Sequence, residues 1–194
     1  MLHELIESPG VREDVKLRGA VGVMALHGGL EAGTAEAAHE VATATGASLY
    51  SVVQPDDLAW HIPSIRYDPS HSHRLRQFLD HIAVAVSFHG FGRKELKETI
   101  LVGGRNRRLA TAIGEAIIHH SSLHVVTDPG SMPRGLKGMH PKNPVNLPKD
   151  GGVQLEMSAG ARSPHHLSAV IVAVASVIAG EMTSSADRGG RLET

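Results

Sequence analysis

"AVGVMALHGGLEAGTAEAAHEV" (Ala20–Val41) carries an apolar run of strand length into a histidine and two glycines, then past a glutamate into an alanine-rich segment. The second half, Thr34–Thr45, has the composition of a helix, with Glu36, His39 and Glu40 on its polar side and Gly46 as a C-terminal stop. The stretch is therefore a strand, a glycine turn and a helix in succession. Its two chemically capable side chains, His27 and Glu31, fall at the turn.

The same alternation continues along the chain. "ASLYSVV" (47–53) is a second strand, and "QPDDLAWHIPSIRYDPSHSH" (54–73) is irregular, interrupted by Pro55, Pro63 and Pro69. "HRLRQFLDHI" (73–82) is helical, and "AVAVSF" (83–88) is a strand that enters His89-Gly90. "ETILVGG" (98–104) is another apolar strand ending in glycines, followed by a helix over "RRLATAIGEAIIHH" (107–120) and a short strand in "LHVVT" (123–127). Asp128 to Gly152 is rich in Pro and Gly and long for a loop in a compact domain, which marks it as a functional segment. "GVQLEMS" (152–158) alternates, with Val153, Leu155 and Met157 on one face and Gln154, Glu156 and Ser158 on the other. "LSAVIVAVASVIAG" (167–180) fits a buried helix, although its β-branched content leaves a strand open. Strands alternating with helices predict an α/β fold: one domain over residues 1–180, with a mixed or largely parallel central sheet flanked by helices. The polar tail, 181–194, has the composition of a disordered segment.

Composition narrows the function. The formal net charge of -1 gives no whole-chain field to gather nucleic acid or an anionic membrane, so neither is expected as a partner. There is no cysteine, which excludes disulfides and thiolate chemistry and leaves His, Asp and Glu as the strong metal ligands. The apolar run 167–180 is shorter than the 18 or so residues a membrane span requires, and the N-terminal sequence lacks the pattern of a signal peptide. A cytoplasmic protein is expected.

Three strands carry a reactive side chain at or near their C-terminal ends: His27, His89 and Glu156. Ligands of open α/β sheets bind outside those ends. Each histidine precedes glycine, which leaves room for approach to the imidazole. With Glu31 in the adjoining loop, two imidazoles and a carboxylate make the ligand set of a catalytic zinc site. Each residue alone also has an ordinary reading: the histidines as hydrogen-bonded residues of strand ends, Glu31 as an acid at a helix N-terminus, Glu156 as an outward-facing strand residue.

The order and wording of the set, "ALHGGLEAGTAE", "SFHGFG", "VGG" after a strand and "GGVQLEMSAGAR", resemble the poly-gamma-glutamate hydrolase family, zinc peptidases similar to compact metallocarboxypeptidases. The resemblance runs from about Val21 to Arg162. It implies a metallocarboxypeptidase-like fold, one Zn²⁺ held by His27, Glu31 and His89, and catalytic roles for Glu156 and Arg162. Zinc then acidifies water and polarises the scissile carbonyl, while Glu156 moves the proton. "WHIPSIRYD" matches the family's middle segment at His61, Ser64 and Asp68. Three departures stand out: the connection from His27 to Glu31 is one residue shorter, Arg66 replaces a histidine, and Arg105-Asn106 replaces a more apolar wording.

The implied activity is hydrolysis of γ-glutamyl amides, in a polymer or in a small peptide-like substrate. Arg105 and Arg107 join Arg162 as cations for a developing oxyanion or a substrate carboxylate, and His61, Asn143 and Asn146 as further contacts. "GGRNRRLA" equally suits an anion at a helix start or a solvated helix terminus. The asparagines equally suit caps of the turn around Pro144, and Arg134, Lys137, Lys142 and Lys149 a solvated surface. Two alternatives to the γ-glutamyl hydrolase stand: a metal- or anion-binding domain without catalysis, and an N-acylamino acid amidohydrolase.

Overall fold

The computed structural model describes residues 1–189. A seven-stranded sheet is built from β1 (Arg12–Lys16), β2 (Val21–Gly28), β3 (Ser48–Val53), β4 (Val84–Phe91), β5 (Thr99–Gly103), β6 (His124–Val126) and β7 (Gly152–Ser158), in the spatial order β1-β3-β2-β4-β7-β5-β6. The strands β3, β2, β4 and β7 run parallel. At the margins β1 is antiparallel to β3, and β5 is antiparallel to β7 and parallel to β6. The sheet is thus mixed, with a parallel centre.

Period-two alternation separates two cores. On one face Val21, Val23 and Ala25 of β2, Val86 and Phe88 of β4, and Val153, Leu155 and Met157 of β7 meet three helices: α2 (Thr34–Thr45), α4 (Arg107–His120) and α5 (Pro164–Gly189). On the other, Met24 and Leu26 pack with Tyr50, Tyr67 and Ile62, beneath the short α1 (Leu2–Ile6) and the amphipathic α3 (His73–His81), which contributes Leu75, Phe78 and Leu79. Tyr67 closes that second core by donating its hydroxyl to the Leu26 carbonyl at 2.6 Å. A sheet covered on both faces explains the near-continuous apolar runs of its parallel strands.

The run 167–180 is helical and does not end at Gly180: α5 continues to Gly189, and Glu181 within it takes both terminal nitrogens of Arg108 from α4, at 2.8 and 2.7 Å. Only residues 190–194 of the expected tail lie outside the described residues. The helical segment Pro164–Thr183 is long and apolar enough, by length and composition, to cross a membrane. It lies along α2 and α4 with Val170, Ala173, Val174 and Ile178 buried.

The glycine-ended strand 98–104 also differs from its look-alikes. Because β5 opposes β7, pairing Gly103 with Gln154 and Ile100 with Met157, its C-terminal end lies where β7 begins. His27, His89 and Glu156 lie towards the C-terminal ends of parallel strands. The segment after β5 is therefore carried away from them.

Candidate metal centre and catalytic cleft

β2 delivers His27 with a local irregularity. Strict alternation would set it with Val23 and Ala25, but the pairing of β2 with β3 shifts between Ala25 and Gly28. Beyond the shift the His27 ring is 4.7 Å from that of His61, 5.7 Å from Tyr67 and 4.9 Å from His89. The turn that follows depends on Gly29, at φ 79°, where a Cβ would lie 2.1 Å from the Gln54 carbonyl oxygen. The chain then folds back, with the Glu31 N–H donating to the His27 carbonyl at 2.8 Å. This turn lets the short connection return the Glu31 carboxylate to the imidazole it follows.

The three side chains converge. Glu31 Oε1 is 3.0 Å from His27 Nδ1, Glu31 Oε2 is 3.6 Å from His89 Nδ1, and the two Nδ1 atoms are 3.2 Å apart. One donor atom from each residue falls within 4.8 Å of the other two. Both histidines are 2% exposed, so bulk water does not screen this meeting of lone pairs and charge. His27 Nε2 lies 2.8 Å from the Ile62 carbonyl, which can only accept; Nε2 therefore holds a proton, and Nδ1 is the nitrogen that turns to the cluster. The Gly90 N–H donates to Glu31 Oε2 at 2.8 Å and fixes the carboxylate. Burial opposes ionisation of Glu31, yet its hydrogen bonds with His27 and His89 hold the carboxyl well below the usual carboxylate range. Burial likewise pushes the His89 pKa down, against the pull of Glu31. An anionic carboxylate and two converging imidazole nitrogens, oriented from behind by a carbonyl and an amide, fit a divalent transition metal.

Glu156 stands apart from that cluster. Its Cα pairs with that of His89 across β4 and β7, and its side chain is 5% exposed. Gln154 Nε2 donates to Glu156 Oε1 at 2.7 Å, and Asn143 Nδ2 donates to Gln154 Oε1 at 2.6 Å. Burial, then the charge of Glu31, raises the Glu156 pKa well above an ordinary carboxylate, while the Gln154 hydrogen bond and Arg162 act in the other direction. A buried carboxyl of raised proton affinity beside two imidazoles and a second carboxylate is the kind of group that general acid–base chemistry employs.

These groups share a cavity of about 520 Å³ lined by His27, Glu31, His61, His89, Asn143, Gln154 and Glu156, with Pro63, Ser64 and Ile65 on one side and residues 134–140 on another. His61 lies at its edge, and partial burial of the ring, then the nearby His27, lowers its pKa.

Other expected contacts are elsewhere. Arg105 is exposed, and its backbone N–H donates to Asn146 Oδ1 near the start of β7. Arg107 turns inward to the carbonyls of Val102, Gly104 and Thr127. Neither lines the cavity, because the reversed β5 takes both away from His27, Glu31 and His89. Asn146 is also outside it: its amide joins Gly138 and His140 to Arg105 and holds the long loop together. Asn143 does line the cavity, but Oδ1 caps Val145 and Nδ2 is committed to Gln154. Arg162 lies over Gly90, donates to the carbonyls of Met157 and Ala32, and acts on Glu156 through its charge. Of the loop cations that equally suited a solvated surface, Arg134 and Lys137 line the cavity, and with them His140, which the sequence did not single out.

Comparison with known proteins matches the fold. The chain superimposes on a bacteriophage poly-gamma-glutamate hydrolase with a TM-score of 0.77 and 24% identity, over 92% of this chain and 93% of the other. The zinc-free form of a protein named YNDL matches with a TM-score of 0.70 and 26% identity, over 92% and 93% of the two chains. A gene product of Agrobacterium tumefaciens shares the fold at a TM-score of 0.53 and 17% identity, over 91% and 94%. No curated protein sequence matches the chain significantly. The family model for poly-gamma-glutamate hydrolase matches residues 3–168, and with that match the chain belongs to the poly-gamma-glutamate hydrolase family.

Proposed function

We propose that the protein is a zinc-dependent amidohydrolase that cleaves γ-glutamyl amide bonds by attack of water. The observation that carries this reading is the pairing of two sites in one cavity: a buried His27–Glu31–His89 cluster, and Glu156 beside it with no place in the ligand set. A domain that only bound a metal or an anion would have no use for that second carboxyl. The likeness to a protein described in a zinc-free form supports zinc as the ion, and the family supports the γ-glutamyl substrate.

When bound, the ion supplies Lewis acidity to a carbonyl and to water. The chain does the rest. His27 and His89 present Nδ1, Ile62 fixes the tautomer of His27, and the Gly90 amide keeps the Glu31 carboxylate turned inward. Glu156 takes a proton from the attacking water on its free oxygen, Oε2, since Oε1 is held by Gln154. It then delivers that proton to the leaving amine. Arg162 acts at longer range, favouring the ionised form of Glu156.

The test is cleavage of γ-linked glutamate oligomers by the purified, zinc-loaded protein, with products identified by mass spectrometry. Hydrolysis that chelation abolishes and zinc restores is expected. Intact oligomer after prolonged incubation with zinc-loaded protein would overturn the reading.

A further inference from the structure

We propose that Arg134 and Lys137 form a recognition site for the α-carboxylates of a γ-linked glutamyl substrate, presented by the loop that walls the cavity. The identity of the substrate rests on the function proposed above. The location of the site does not.

Three observations converge. First, both cations line the cavity that contains His27, Glu31, His89 and Glu156, in place of Arg105 and Arg107. Second, neither is used up inside the protein: among the described residues no carboxylate lies within 4 Å of either, every close ion pair being made elsewhere. Lys137 feels Asp128 only at longer range. The two carboxyl groups of the lining are Glu31, bound to the histidines and the Gly90 amide, and Glu156, bound to Gln154.

Third, the backbone from Lys137 to His140 is pinned, and Arg134 begins the single 3-10 turn that leads into it. The Gly104 N–H donates to the Lys137 carbonyl at 2.9 Å, and Asn146 Nδ2 donates to the carbonyls of Gly138 at 2.7 Å and His140 at 3.0 Å. The approach to β5 is so close that a Cβ on Gly103 would lie 2.2 Å from the Lys137 carbonyl oxygen. Side chains on a fixed backbone bind with less ordering cost than side chains on a mobile loop.

The chemistry of the proposed ligand suits this wall. Each residue of a γ-linked glutamyl chain bears a free α-carboxylate beside the amide, and the methylenes between successive amides are uncharged. Arg134 can grip a carboxylate through two parallel N–H donors, and Lys137 adds a compact charge. A neutral amide offers either cation a single carbonyl acceptor without the charge.

The test measures equilibrium binding of a γ-linked glutamate oligomer, and of the same oligomer with α-carboxamides, to metal-free protein, with zinc affinity measured in parallel. Wild-type protein is expected to prefer the acidic oligomer, less so as salt rises. Arg134→Ala combined with Lys137→Ala should weaken acidic-oligomer binding about tenfold or more, as loss of charge-assisted hydrogen bonds does. Binding of the carboxamide and of zinc should not change. Arg134→Lys, which keeps charge but not the fork, should recover part of the loss. The proposal is overturned if the double variant binds the acidic oligomer like wild type, if it loses both oligomers equally, or if wild type does not distinguish them. Failure of wild type to cleave would count against the hydrolase and leave this binding result standing.

Discussion

His27 Nδ1 and His89 Nδ1 face each other across 3.2 Å, with Glu31 beside both. Zinc–nitrogen bonds of about 2.0–2.1 Å in tetrahedral geometry put two ligand nitrogens about 3.3 Å apart. Elemental analysis should find about one zinc per chain. His27→Ala and His89→Ala should each lose more affinity than the roughly 10- to 100-fold that loss of an outer hydrogen bond costs. Zinc should also raise the melting temperature of wild type, since an ion that binds only the folded chain stabilises it. Unchanged zinc affinity in both variants would exclude the site.

Glu156 separates catalysis from metal binding. Glu156→Gln keeps its size and its contact with Gln154 Nε2 but removes the proton acceptor. Turnover of γ-linked glutamate oligomers should fall by about 10²- to 10⁴-fold, with zinc content unchanged. Near-normal turnover would remove Glu156 from the mechanism. Loss of zinc would make it a ligand.

The chain from Asn143 through Gln154 to Glu156 yields a third expectation, because all three side chains are buried and each link is short. Gln154→Leu leaves Glu156 Oε1 and Asn143 Nδ2 without partners, at about 1–3 kcal/mol for each buried group. Asn146→Ala, with three hydrogen bonds lost, should destabilise by a similar amount. Thermal denaturation measures both. Asn146→Ala frees the Gly138 and His140 carbonyls of the wall next to Lys137, so any loss of preference for acidic amides should come together with the loss of stability. A change of selectivity without a change of stability would return Asn146 to the substrate.

What the sequence disclosed about this site followed from local rules. His27, His89 and Glu156 each sit near the end of a run recognisable as a strand, and parallel neighbours bring such ends together. Arg105 and Arg107 obeyed the same local pattern, an apolar strand ending in glycine, yet went to the other end. Strand direction is the reason: β7 inserts between β4 and β5 after a long intervening segment, and nothing within "ETILVGG" records that its partner will run against it. The sequence left Arg134 and Lys137 open between a binding role and a solvated surface for a related cause. Their positions depend on Gly103, Gly104 and Asn146, distant residues whose contacts turn a Pro- and Gly-rich stretch into a wall. α5 runs past Gly180, where the apolar run ends, and the Arg108–Glu181 pair joins its next turn to α4.

The two tyrosines of the chain supply a test of the second core. Tyr50 donates to Glu13 at 2.8 Å and Tyr67 to the Leu26 carbonyl, and both are fully buried. Burial first, then the charge of Glu13 for Tyr50 and of Glu31 for Tyr67, raises both phenol pKa values above the free value. In the unfolded chain each phenol ionises near about pH 10. Above that pH the unfolded state holds fewer protons than the folded state, so stability must fall as pH rises. Their contribution is intact below the unfolded pKa and is lost on the way up to the folded one. Tyrosinate absorbance should therefore stay low past the free pKa and then rise together with loss of the circular dichroism signal, in one cooperative step. Tyr67→Phe removes one of the two protons from that linkage and should make alkaline unfolding less steep, while lowering stability at neutral pH by about 1 kcal/mol for the lost hydrogen bond. Smooth titration of both tyrosines near the free value, with the fold intact, would contradict the burial of this core.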